Sequence, residues 1–168
     1  MRKLCGFKKS AVAKQNTLNV SNHPNIDVVR ARQVCGGNED AVQFLLLWSE
    51  YAHGVDDIID MDRTEAEFII ATFGLANRLY SHPFYLAHHR ELGLVVQLVT
   101  NAYADAEAMK ASHLEWKRQT SDVLRHAGAE MLRAVVYLCG GYAHLRELSE
   151  RFHEVAYYEH HDEEGKPV

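Results

Sequence analysis

The segment from Asn38 to Arg63 constrains the fold more than any other part of the chain. Phe44, Trp48, Tyr51, Val55 and Ile58 recur at helical spacing, while Phe44, Leu45, Leu46, Leu47 and Trp48 are consecutive and so cover every side of a helix. Asn38, followed by Glu39 and Asp40, supplies an N-cap and an acidic first turn. A helix that is apolar all round its first half must be surrounded, so the remaining sequence has to provide the helices that enclose it.

It does. Ile26 to Cys35 suits a short helix stopped by Gly36 and Gly37. Thr64, with Glu65 and Glu67 after it, opens a helix that reaches Tyr80 and is broken by Ser81, His82 and Pro83. From Pro83 the pattern stays helical to about Ala111, with Pro83 to Arg90 readable as a separate turn or short helix. Ser112 caps a helix over 113–139 that Gly140 and Gly141 close, and the last helix runs from 142 to about 160. VCGG at 34–37 and LCGG at 138–141 read as two helix stops rather than as a repeat. No strand or hairpin pattern competes. The chain has 168 residues, 47% of them apolar, which suits one domain with its own core. The expected fold is therefore all-α, an antiparallel bundle of five to six helices over 24–160.

Charge separates the ends from the body. Residues 1–36 carry seven Lys or Arg against one acid, Asp27, and the remainder carries eleven against twenty-two. The basic arm over 1–23 is expected to be poorly ordered, and 161–168 forms an acidic tail. An acidic body repels nucleic-acid phosphates, so no nucleic acid is expected as a partner. The longest apolar runs fall far short of the roughly 20 residues that cross a bilayer, so no membrane partner is expected either. Cys5, Cys35 and Cys139 are odd in number and widely spaced, which fits free thiols and a cytoplasmic location. Phosphate-binding loops, dinucleotide fingerprints, CxxC pairs and the serine-hydrolase elbow are missing from the sequence.

Two clusters of polar residues carry chemistry. At the end of the apolar helix, Asp56, Asp57, Asp60 and Asp62 lie within seven residues. Asp56 and Asp60 are one turn apart on the same face, and Asp57 stands about 100° round the axis. Carboxylates at a helix C-terminus oppose its dipole and repel one another, so they need a compensating cation such as Mg²⁺, or else full solvation. The second cluster is Gln97, Asn101 and Asp105, at i, i+4 and i+8 on an otherwise apolar helix. It either lines a polar cavity or faces solvent beside Glu91 and Lys110.

The stretch AVQFLLLWSEYAHGVDDIIDMDR, Ala41 to Arg63, resembles the DDxxD helix of class I isoprenoid and terpenoid synthases. The resemblance implies a terpenoid-synthase-like bundle in which Asp56, Asp57 and Asp60 bind Mg²⁺ that holds a substrate diphosphate. The order and spacing of Gln97, Asn101 and Asp105 are similar to the later metal-binding triad of the terpene cyclases, although the identities differ. That likeness implies metal ligands at Asn101 and Asp105, with Gln97 and Arg63 as substrate-binding candidates and Lys117, Arg118 and Arg125 as further basic groups. The expected function is then Mg²⁺-dependent binding, with or without turnover, of a diphosphate-containing isoprenoid-like ligand.

Two other readings stand beside it. A helical interaction or assembly protein would use a surplus apolar face to form a homodimer. A carboxylate-bridged di-iron bundle would use the ExxH pairs Glu50/His53 and Glu150/His153 with Glu107 and Glu130.

Overall fold

A computed structural model describes residues 28–158. The expected basic arm and acidic tail lie outside the described residues. The elements are α1 (Val28–Val34), α2 (Glu39–Ile59), α3 (Ala66–Tyr80), α4 (Pro83–Ala87), α5 (His89–Lys110), α6 (Glu115–Arg125), a 3-10 turn (His126–Gly128) and α7 (Ala129–Tyr158). The chain is an all-α bundle, and among the described residues no helix is long and apolar enough to cross a membrane.

α2 is the axis of one half. Asn38 Oδ1 accepts from the Ala41 N–H at 3.2 Å, a cap that contributes about 1 kcal/mol. Ala41, Val42, Phe44, Leu45, Leu47 and Trp48 are all buried, which the consecutive apolar run requires. The enclosing elements are α1, α3, α4 and α7. Phe44 is met by Phe84 of α4 and by Tyr85, at ring-centroid separations of 5.6 and 6.2 Å. Leu79 of α3, Leu92 of α5 and Met131 and Val135 of α7 complete the core. Gly54 lets α3 approach closely, since a Cβ there would stand 2.9 Å from Thr72 Oγ1.

α5 organises the other half and packs on α6 and α7. α5 and α6 form a helical hairpin pinned by Ser121, buried with its hydroxyl donating to the Ala106 carbonyl at 2.9 Å.

One expected boundary is corrected. The helix expected over 113–139 is interrupted, because α6 ends at Arg125 and the chain turns through His126–Gly128 before α7 begins. Gly128 is the sequence signal for that break. Gly140 and Gly141 do mark the expected break between two helical segments. The backbone at Gly141 is non-helical, with a φ of 72° and ψ of −172° that only glycine adopts readily, so α7 consists of two helices joined across a kink at that residue. The optional short helix after Pro83 is real and becomes α4, with His82 Nδ1 accepting from the Phe84 N–H at 3.3 Å.

Candidate functional site

α2 ends in a Schellman turn that fixes where its aspartates point. The Asp62 N–H donates to the Asp57 carbonyl at 2.9 Å and the Met61 N–H to the Ile58 carbonyl at 3.3 Å. Glycine normally fills the left-handed position of this motif, yet here it is Met61, with φ of 62°. The turn leaves Asp56 and Asp60 on one side of the helix end, while Asp57 is buried, 8% exposed.

Asp56 and Asp60 face α5 and the end of α6. The Tyr103 hydroxyl donates to Asp56 Oδ1. One nitrogen of Arg125, Nη2, reaches Asp60 Oδ1 at 2.9 Å, Asp60 Oδ2 at 3.0 Å, Glu107 Oε1 at 2.9 Å and Tyr103 Oη at 3.3 Å. Asp56 Oδ1 lies 3.8 Å from the same nitrogen. Lys110 Nζ donates to Asp60 Oδ1 at 2.7 Å. Three carboxylates from two helices thus converge on a guanidinium from a third, and the guanidinium also lies 5.7 Å from the Tyr103 ring centroid.

The electrostatics follow from that placement. The hydrogen bond from Lys110, assisted by Arg125 and opposed by partial burial, holds the Asp60 carboxyl below the ordinary carboxylate range. Burial, reinforced by the bond to Asp56, pushes the Tyr103 hydroxyl up, so it acts as a neutral donor. Burial works against the Arg125 charge, but Asp60 and Tyr103 outweigh it and the guanidinium is held more firmly protonated than usual. Arg125 Nε is buried without a hydrogen-bond partner, which is the polar penalty of this arrangement.

The cation expected beside the aspartates is therefore supplied by the chain. Arg125 and Lys110 are bonded to the Asp60 and Glu107 oxygens and Tyr103 to Asp56, so a hard cation would have to displace these donors to bind the carboxylates. Among the described residues no three His, Cys, Asp or Glu side chains are grouped so as to hold a metal ion.

Gln97, Asn101 and Asp105 do not join this site. All three are exposed, and Gln97 Nε2 donates to Asn101 Oδ1 at 2.9 Å. The α5 residues that reach the cluster are Tyr103 on Asp56, Glu107 on Arg125 and Lys110 on Asp60, and Tyr103 stands about 200° round the helix from Asn101. Replacing Gln97, Asn101 and Asp105 together by Ala is expected to change the unfolding free energy by less than about 0.5 kcal/mol for each position, measured by urea denaturation.

Arg63 is likewise elsewhere, bonded through Nε to Glu65 at 3.3 Å and lying over the Phe68 ring at 4.2 Å. Lys117 lies near Trp116 and Arg118 pairs with Glu115, which leaves Arg125 as the one of the three further basic candidates that reaches the aspartates. For the di-iron arrangement, Glu107 is bound to Arg125 and Glu130 is exposed and paired with Arg133. The side chains of Glu150 and His153 lie outside those described.

A second surface has the opposite character. α3 buries Phe68, Thr72, Leu75 and Leu79, yet its outer side presents Ile70 and Phe73, each 68% exposed, with Ala66, Gly74, Asn77 and Tyr80. No charge interrupts that face; Glu67 and Arg78 flank it near its two ends, both exposed. A shallow open depression adjoins the Arg78 end, lined by Gln43, Leu47, Ser81, His82 and Pro83.

No family model matches this chain, and no similar curated protein or solved structure is found.

Proposed function

We propose that the chain is a non-catalytic helical assembly module that pairs with a second copy through the outer face of α3. The observation that carries this reading is that α3 is apolar on both sides. A helix of that kind is normally sandwiched between two layers, and among the described residues only one layer covers it.

A second copy suits the face better than an unrelated partner. Glu67 and Arg78 are three turns apart and stand about 20° from each other round the axis, so they lie along the same edge. A two-fold axis between them sets the two α3 helices antiparallel and brings each Glu67 opposite the other copy's Arg78. The same axis passes beside Phe73, which neighbours Gly74, where nothing lies within 4 Å of an added Cβ. A projecting ring next to a hollow on one face is what an isologous interface requires.

One helix face buries less than a standard interface, so the dimer is expected to be weak, with a Kd roughly in the micromolar range or above. Sedimentation velocity over a wide concentration series tests it: a reversible monomer–dimer equilibrium supports the reading, and a monomer at every concentration removes it. On this reading the Asp56/Asp60/Arg125 cluster is a structural lock between α2, α5 and α6.

The second reading is an isoprenoid-synthase-like domain that binds Mg²⁺ and a diphosphate. It is favoured by the convergence of carboxylates from α2 and α5 on one cationic group. It requires Arg125 and Lys110 to release Asp56 and Asp60. Calorimetric titration of Mg²⁺ with pyrophosphate decides it: saturable heat that vanishes in Asp56→Asn, Asp60→Asn would support it, and no heat in the unaltered protein is the outcome expected for the assembly module.

A further inference from the structure

The two Cys-Gly-Gly segments, distant in sequence, meet in space. Cys35 follows α1 and is 1% exposed, while Cys139 lies on α7 and packs, half-buried, against the cluster that contains Cys35. The two thiols lie close enough to perturb each other's ionisation, Cys35 upward and Cys139 downward. Independent contacts clamp the same two segments together: Val34 packs with Val136 and Leu148, and His144 Nε2–H donates to the Val34 carbonyl at 2.9 Å. Each cysteine is also followed by backbone of unusual freedom, with Gly36 and Gly37 at φ of 58° and 80° and Gly141 at 72°.

We infer that Cys35 and Cys139 form a reversible dithiol–disulfide site that is oxidised by a small-molecule disulfide of the glutathione class. The packing of Cys139 on the cluster around Cys35, with the Val34–His144 clamp, brings the two segments together, and the flanking glycines let the backbone adjust to the narrow geometry a disulfide demands. Cys139 is the attacking thiol, since it is the more accessible and lies next to exposed Gly140. The neighbouring Cys35 lowers the Cys139 thiol, and Cys139, together with burial, raises Cys35.

The exchange balances as follows. The Cys139 thiolate attacks one sulfur of the small disulfide, a mixed disulfide forms and the first small thiolate leaves. Cys35 then gives up its proton, its thiolate attacks the Cys139 sulfur, and the second small thiolate leaves. Both small thiolates are protonated, so two protein thiols lose two electrons and two protons and one small disulfide becomes two thiols. The product ties the end of α1 to the kinked middle of α7 across a loop of about 100 residues, which restrains the unfolded chain.

The test uses the full chain carrying Cys5→Ser, which removes the one cysteine outside the described residues. The protein is equilibrated in glutathione buffers of rising oxidised fraction, quenched with iodoacetamide and weighed intact. The expected result is joint loss of both alkylation sites, a mass two hydrogens lower, a Cys35–Cys139 peptide in a non-reducing digest, and a thermal midpoint that rises on oxidation and falls back with added reductant. Adding Cys35→Ser should arrest the reaction at a glutathione adduct on Cys139. Two alkylatable thiols at every ratio, a persistent glutathione adduct in the protein that retains both cysteines, or a bond formed only between chains would each overturn the inference.

Discussion

Arg125→Met should lower the unfolding free energy at pH 7 by about 2 kcal/mol, and the deficit should shrink on acidification. Methionine keeps most of the apolar stem but removes the charge that Asp60, Glu107 and Asp56 share. Lys110 still reaches Asp60, so two of the three carboxylates lose their main cation. The side chains of Arg125, Asp60 and Glu107 are between 23% and 30% exposed, which places the expected loss below that of a fully buried pair.

The pH dependence has a definite sign. In the unaltered protein the folded-state Asp60 carboxyl is held low, so its contribution is fully present above the unfolded Asp value of about 3.9 and is lost as pH falls through the lower folded value. Without Arg125 the Asp60 carboxyl loses one of the groups that hold it low, and its protonation relieves the repulsion within the cluster. The curves for the two proteins should therefore converge as pH falls below the ordinary carboxylate range, measured by urea denaturation at about pH 7 and about pH 3. Adding Asp60→Asn to Arg125→Met should recover part of the loss at pH 7, because the two positions share one contact and their effects do not add. A deficit that stays constant with pH would mean that Arg125 acts through packing alone.

How much of this was legible in the sequence depends on which physical signal each residue carried. The all-round apolar run at Phe44 to Trp48 required a central helix, and α2 is enclosed as that pattern demands. The spacing of Asp56 and Asp60 put them on one face, and they do point the same way, toward Arg125. The need for a compensating cation was also readable, because like charges at a helix C-terminus have to be neutralised or solvated. Its identity was not, since Arg125 is 65 residues from Asp60 and reaches it only because α6 folds back on α5. The stripe on α5 stayed undecided between cavity and solvent for a related reason. Gln97, Asn101 and Asp105 have a helical period, but period alone does not say which side of a helix faces the bundle, and the hairpin turned Tyr103 and Glu107 inward instead. The exposed side of α3 escaped sequence reading because Ile70 and Phe73 look the same in sequence as Phe68 and Leu75. Only the packing of the bundle distinguishes an apolar residue that is covered from one that is left outside.

That difference makes Phe73→Glu the sharpest probe of α3. On the proposed two-fold axis each Phe73 meets the other copy close to the centre of the interface, so one substitution introduces two facing carboxylates into an apolar contact. Unpaired charge at a desolvated centre is expected to weaken dimerisation at least about 100-fold, enough to leave a micromolar dimer monomeric at ordinary concentrations. The fold should be retained, because Phe73 contributes to the surface rather than to the core, and thermal unfolding of the dilute monomer should change little. The flanking charges supply an independent check on orientation. Glu67→Arg alone should weaken the dimer by placing two cations opposite each other, and adding Arg78→Glu should restore it by exchanging the pair. An antiparallel arrangement requires that rescue. A parallel one sets Glu67 beside the other copy's Glu67, so that exchanging both residues merely replaces one like-charge contact with another. Sedimentation velocity on the four proteins distinguishes the two arrangements, and a Phe73→Glu variant that associates as strongly as the unaltered chain would remove α3 from the interface.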